Sequence, residues 1–127
     1  MSKKKKYVVE FGFKSSPSIL YNYLSTPSGL AEWFCDDVDI HDKREYVFRW
    51  AGSEQKAEML KNSPNKYIRF RWEDSHEEEF FEFEIIQDEI TGDVGLVITD
   101  FAIESEVEES KQLWGTQVQT LKTAIGS

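Results

Sequence analysis

Four groups of side chains have the types and spacing to do chemistry. The first is Cys35-Asp36-Asp37-Val38-Asp39-Ile40-His41-Asp42, where thiol, imidazole and carboxylates crowd together. Such groups ligate metals, but the spacing fits neither a closed zinc motif nor a calcium loop. On a strand, Asp37, Asp39 and His41 share one face, and a wet strand face accounts for them without a metal. The second group is His76 beside Glu77, Glu78 and Glu79. General acid–base work needs a pocket and a perturbed pKa. The polar surroundings here point instead to a solvent-facing hairpin tip. The third is Arg49, Arg69 and Arg71, expected on a convex sheet face. They are suited to cross-strand pairs with Glu45, Glu82 or Glu84, or to a protein contact. The fourth is aromatic: Phe48, Trp50, Phe70, Trp72, Phe81 and Phe83, joined by Trp114 and Val118 from a later helix. These eight are the candidate ligand-binding residues, because ligand cavities are lined mainly by apolar and aromatic side chains. The same rings would equally serve as plain core. No catalytic residue, metal ligand or cofactor is assigned. No nucleophile elbow, phosphate loop, dinucleotide fingerprint or zinc-hydrolase motif occurs.

These groups need elements to position them. Over residues 7–13, Tyr7, Val9, Phe11 and Phe13 alternate with Val8, Glu10, Gly12 and Lys14, the signature of a half-buried strand. Ser16-Pro17 reads as a helix start, with Ser16 as cap and Pro17 at the first helical position. Thr26-Pro27 repeats the signal, so a short helix carrying Ile19, Leu20, Tyr23 and Leu24 gives way to a second through Leu30, Trp33 and Phe34. Period-two patterns follow: a short strand at 37–40, then Tyr46, Phe48 and Trp50, then a weaker strand with Ala57 and Met59. Next come Ile68, Phe70 and Trp72, then Phe81, Phe83 and Ile85, and a last strand over 94–103. Turn clusters at 51–53, 62–65 and 91–93 separate them, the marks of an antiparallel meander.

The end of the chain is helical. Ser105-Glu106-Val107-Glu108 fits a capping box. Trp114, Val118, Leu121 and Ile125 form one stripe, and Gly126 is a plausible stop. About twenty helical residues reach roughly 30 Å, enough to cross a sheet. The implied fold is α+β: a curved seven-stranded antiparallel sheet wrapped on a long C-terminal helix, with two short helices between strands 1 and 2.

Composition bounds the function. The 127 residues suit one domain spanning 1–127, and nine Phe, five Tyr and four Trp can fill its core. A net charge of −9 argues against nucleic acid, since phosphate binding needs clustered Lys and Arg. The run Lys3-Lys4-Lys5-Lys6 reads as a solvated tail that keeps the first strand soluble. No stretch is long and apolar enough for a membrane span, and no apolar segment after the lysines suggests a signal peptide. One cysteine, Cys35, fits a reducing cytoplasm. The oligomeric state is open; strand edges or Leu113, beside the helix stripe, are the candidates for a dimer contact.

Three segments carry a family likeness: Ser16-Pro17 with Ile19-Leu20-Tyr21; Thr26-Pro27-Ser28-Gly29-Leu30-Ala31-Glu32-Trp33-Phe34; and Leu113-Trp114 followed by Leu121-Lys122. The chain resembles the START-like (SRPBCC, helix-grip) superfamily, and within it the bacterial homologues of the heat-shock chaperone ATPase activator. The second segment is close to that group's T-P-x-x-L-x-x-W-F signature. One departure is that members commonly place a glycine pair before the third strand, where this chain has His41-Asp42-Lys43-Arg44-Glu45. The resemblance implies a cavity between sheet and long helix, often used for lipids or other apolar molecules, and no invariant catalytic set.

Three readings follow. One is a non-enzymatic binding domain with a continuous hydrophobic cavity of at least about 300 Å³ for an apolar small molecule, which a tightly filled interior would count against. A second is a protein-interaction or chaperone-accessory domain, steered to a basic partner by its acidic charge. The third is a cyclase-like enzyme, which requires a polar dyad inside the cavity.

Overall fold

The computed structural model describes residues 3–126. In chain order the elements are β1 (Lys5–Phe13), α1 (Pro17–Ser25), α2 (Pro27–Leu30), β2 (Asp37–His41), β3 (Glu45–Trp50), β4 (Ser53–Ser63), β5 (Tyr67–Trp72), β6 (Phe81–Gln87), β7 (Val94–Ala102) and α3 (Val107–Ile125). The strands form one antiparallel sheet in the order β1-β7-β6-β5-β4-β3-β2. Strands β2 to β7 are a meander. β1 closes the far edge by pairing with β7 over its whole length, from Lys5 opposite Ala102 to Phe13 opposite Val94. This is the expected α+β architecture. No helix among the described residues is long and apolar enough to cross a membrane.

The two short helices share a hinge residue. Ser16 caps α1, its Oγ accepting the Ile19 N–H at 3.2 Å. Thr26 Oγ1 accepts the Gly29 N–H (3.0 Å) to cap α2 and donates to the Asn22 carbonyl (2.8 Å) to close α1. One hydroxyl thus satisfies orphan groups of two helices. α2 is shorter than the sequence pattern suggests and ends at Leu30. The Leu30 carbonyl accepts the N–H groups of Trp33, Phe34 and Cys35, which closes a turn instead of extending a helix.

Inward positions alternate as period two demands. Tyr46 and Phe48 on β3, Ile68 and Phe70 on β5, and Phe81, Phe83 and Ile85 on β6 are all buried. From α3, Trp114, Val118 and Leu121 face them, and Ile125 packs at the margin. The helix closes on Gly126, whose left-handed φ of 87° and N–H to the Lys122 carbonyl match a glycine stop. Leu113 lies 60% exposed on the outer side.

Several expectations change. The capping box at Ser105 does not form. Glu104–Glu106 make a turn of 3-10 helix, and α3 begins at Val107 with no side-chain cap. The bond from Glu106 N–H to the Ile103 carbonyl draws Ser105 into that turn. β4, expected to be weak, is the longest strand at eleven residues and is bent by a bulge between Met59 and Lys61. Its exposed polar residues hide it from a hydrophobicity pattern. The lysine run is partly strand: Lys5 and Lys6 open β1, and Lys5 pairs with Glu104 at 2.9 Å.

The departure before β3 also has a structural reading. Asp42 and Lys43 adopt φ values of 51° and 66° in the β2–β3 turn. Glycine takes this left-handed region at no steric cost, whereas a residue with a Cβ pays about 1–2 kcal/mol there.

Two outcomes follow, both readable as denaturation midpoints. Lys43→Gly is expected to stabilise by about 0.5–1 kcal/mol, the left-handed cost less the added freedom of glycine when unfolded. Gly29→Ala is expected to destabilise by about 3 kcal/mol. A Cβ there would collide with the Asn22 carbonyl oxygen and lie 2.6 Å from the Tyr23 Cα, and backbone cannot swing aside.

Candidate functional site

The ring cluster between sheet and α3 is built around Phe34. Its ring lies nearly parallel to Trp114 (centroids 6.0 Å apart, 11°), Phe81 (5.9 Å, 26°) and Trp72 (6.4 Å, 14°). It meets Phe48 (5.1 Å), Trp50 (5.8 Å) and Phe83 (6.0 Å) edge to face. Phe70 stacks behind on Phe81 at 5.1 Å. The structure therefore brings seven of the eight candidate residues into one aromatic cluster, with Val118 buried beside it on the helix stripe. Phe48, Phe70 and Phe83 have no exposed surface, and Trp50 and Trp72 are half-buried. Rings occupy the space where a cavity is expected.

The backbone that carries Phe34 is tied down at several points. Trp50 Nε1–H donates to the Phe34 carbonyl at 2.9 Å, and Asp36 N–H reaches the Arg49 carbonyl at 2.9 Å. Trp33 Nε1–H donates to the Tyr23 carbonyl at 2.8 Å, anchoring the turn to α1. Outside this turn lies a surface hollow of about 310 Å³, with Trp33, Phe34, Cys35 and Trp50 on one side and Gln117 and Thr120 of α3 on the other. It is a rim feature with Phe34 in its wall.

One inward position of β7 is acidic. Val94, Leu96, Ile98, Asp100 and Ala102 share the concave side, and Asp100 sits beside the cluster. Asp100 Oδ2 accepts Trp114 Nε1–H at 3.0 Å and the Tyr7 hydroxyl at 3.3 Å; Oδ1 accepts the Phe101 N–H at 2.8 Å. Burial lifts the Asp100 carboxyl above the ordinary aspartate range, opposed by these three donors and by the charge of Lys4. Burial, with the Asp100 charge second, pushes the Tyr7 hydroxyl up to about 12. Glu79 is close by and only 8% exposed, with Lys4 Nζ at 3.8 Å. This corrects the expectation of Glu79 at a wet hairpin tip. A hollow of about 110 Å³ runs among Lys4, Trp72, Ser75, Glu79 and Asp100.

The remaining candidates lie apart from this cluster. Asp37, Asp39 and His41 share an exposed face, and Arg49 crosses it to Asp39 (2.7 Å), Glu54 (3.1 Å) and Asp37 (3.5 Å). Arg69 takes the expected Glu82 at 2.8 Å and lies over the Phe80 ring. Arg71 donates instead to the Glu79 carbonyl at 2.9 Å. His76 Nδ1 accepts the Glu78 N–H at 3.2 Å within its loop. A groove of about 420 Å³ passes over charged side chains of β3, β4 and β5, including Glu45, Lys56, Glu58 and Arg71.

Comparison with known proteins decides the family. The model of the START-like superfamily domain matches residues 1–127. The chain belongs to the START-like superfamily. Among solved structures, this START-like chain is 35% identical to the BfR322 protein of Bacteroides fragilis over 97% of this chain and 92% of that one, at a TM-score of 0.70. The Aha1 dimer of Colwellia psychrerythraea shares the fold at 20% identity, covering 95% and 96% of the two chains (TM-score 0.78). The SSP2350 protein of Staphylococcus saprophyticus shares it at 11%, covering 96% and 92% (TM-score 0.79). Among curated proteins, no sequence matches this chain.

Phe34, Asp100 and Glu79 are absent from the set chosen by sequence. Strand parity marks Asp100, an acid at an inward position. Phe34 and Glu79 lie on irregular backbone, where periodicity carries no signal.

Two inner groups besides Tyr7 make stability sensitive to alkali. Burial pushes the Tyr46 hydroxyl up to about 12, and burial, with the charges of Asp37 and Asp36, pushes the Cys35 thiol up to about 11. Both ionise more readily in the unfolded chain, so their contribution is complete below about pH 9 and is lost as pH rises toward 12. The urea midpoint should fall over that window. Tyr46 also donates to the Ser25 carbonyl at 3.0 Å. Tyr46→Phe should therefore cost about 1 kcal/mol at neutral pH and flatten the alkaline fall.

Proposed function

We propose that the chain is a non-enzymatic binding domain for an apolar small molecule with a flat, multi-ring body. The molecule is held between the sheet and α3 among Phe48, Trp50, Phe70, Trp72, Phe81, Phe83, Trp114 and Val118. One observation carries this reading. The position such a ligand would take is filled by a ring of the protein itself, Phe34, stacked between Trp114 and Phe81. Phe34 belongs to a turn between α2 and β2, not to a strand or to α3, and borders the hollow at the rim. Binding then proceeds by exchange: the turn withdraws Phe34 and the ligand ring replaces it.

Magnitudes decide which ligands qualify. Removing a buried Phe side chain costs about 3–5 kcal/mol, a lower measure of the cost of withdrawal, because the bonds that hold the turn are disturbed as well. A ligand that buries roughly 200 Å² of apolar surface returns about 5 kcal/mol at about 25 cal/mol per Å². A single ring therefore gains nothing, and a ligand of two or more rings does. Residues 1–127 act as one domain in this reading. A cytoplasmic setting suits the buried free thiol of Cys35.

The test is a fluorescence titration with N-phenyl-1-naphthylamine, an apolar multi-ring probe. Saturable one-to-one binding is expected. Phe34→Ala should bind at least about tenfold tighter, because no ring has to leave, although the variant is less stable. The reading fails if neither protein binds the probe saturably, or if Phe34→Ala binds more weakly.

A further inference from the structure

We infer that the interior site has a polar end at Asp100, which selects ligands carrying a small hydrogen-bond-donating head, a hydroxyl or an ammonium group, on their apolar body. This rests on the binding reading above and narrows its ligand class.

Four observations carry it. The first is position. Trp114 stacks on Phe34 through its ring face and donates from its ring nitrogen to Asp100 at 3.0 Å. Trp72 lies parallel to Phe34 and also lines the hollow beside Asp100. The same two indoles adjoin the apolar position and Asp100, which places the acid within reach of a ligand that replaces Phe34.

The second is capacity. A carboxylate offers about four acceptor positions. Oδ2 takes two donors, Tyr7 and Trp114, whereas among the described residues Oδ1 takes only the Phe101 N–H. One acceptor position on Oδ1 is left for a donor from a ligand.

The third is size. The hollow is small, about 110 Å³. A hydroxyl or a primary ammonium fits.

The fourth is charge. Lys4 brings one positive charge to this hollow, and Glu79 and Asp100 bring two negative ones. Beside the two carboxylates a neutral donor or a cation is favoured, and a ligand carboxylate is repelled. The site thereby rejects free fatty acids while accepting aromatic alcohols and amines.

The test is competition against bound N-phenyl-1-naphthylamine by four molecules of one shape: biphenyl, 4-phenylphenol, 4-phenylbenzylamine and biphenyl-4-carboxylate. The phenol and the amine should displace the probe at least about tenfold more strongly than biphenyl, and the carboxylate should be weakest. In Asp100→Asn the advantage of the amine should vanish. Tyr7→Phe removes a competing donor but keeps the carboxylate, so the preference should persist or grow. That second variant also keeps the test decisive should Asp100→Asn not fold. Four equal competitors, a leading carboxylate, or an amine preference that survives Asp100→Asn would each overturn the inference while leaving the binding reading intact. If the probe itself does not bind, the binding reading falls and takes this inference with it.

Discussion

The ring of Phe34 fills the middle of the contact between the sheet and α3, beside the direct contacts of Trp114 with Phe83 and Asp100. It touches inward rings of β3, β5 and β6 on one side and Trp114 on the other. Without it a void would open among these rings, and voids in a close-packed interior are costly. Much else serves to hold this ring in place. Thr26 caps two helices so that the chain reverses sharply. Gly29 lets α2 lie against the backbone of α1. The Leu30 carbonyl gathers three N–H groups, and Trp50 fixes the Phe34 carbonyl. An irregular segment has no ladder to stabilise it, so each of these bonds carries part of the positional constraint.

The inner and outer faces of the sheet use charge differently. On the outer face, Arg49 gathers three carboxylates in partly exposed positions, where individual ion pairs contribute at most about 1 kcal/mol. Such a network sets register and solubility more than stability. On the inner face Asp100 lies among rings and is held by three donors, with the buried Glu79 close by. A buried acid of this kind is costly unless paired, so its position is narrowly defined. The outer charges are spread over many substitutable residues, whereas the inner ones are confined to Asp100 and Glu79.

Much of the fold was legible before any coordinates, for reasons that differ between elements. Trp114, Val118, Leu121 and Ile125 repeat at helical spacing because one side of α3 must be buried, and that constraint writes itself into sequence. Strand alternation in β3, β5 and β6 is legible for the same reason. β4 was underestimated because its polar residues obscure the pattern, and strand pairing, not apolar content, holds it. The start of α3 was misplaced because Ser105 has the right neighbours for a cap while the backbone there takes a tighter turn. Of the site, the aromatic strand positions were legible and their shared face followed from parity. Asp100 could have been read by the same parity. Phe34 could not, because nothing in a local pattern says which residue of a turn points into a distant sheet. Glu79 was hidden likewise, since burial of a loop residue depends on β1 passing beside it.

The pairing of the first strand with the last sets the order of assembly. Lys5 waits for Ala102, and Phe13 for Val94, so β1 is synthesised well before the strand it pairs with. Contacts this distant in sequence slow folding, because a long loop closes before any bond rewards it. Meanwhile Tyr7, Val9, Phe11 and Phe13 form an apolar, strand-prone segment with both edges open, the kind of stretch that recruits other chains. Directly ahead of it stand Lys3, Lys4, Lys5 and Lys6. Clustered like charges repel a second copy at short range and act as gatekeepers beside an aggregation-prone strand. Once folded, Lys4 and Lys5 pair with Glu79 and Glu104.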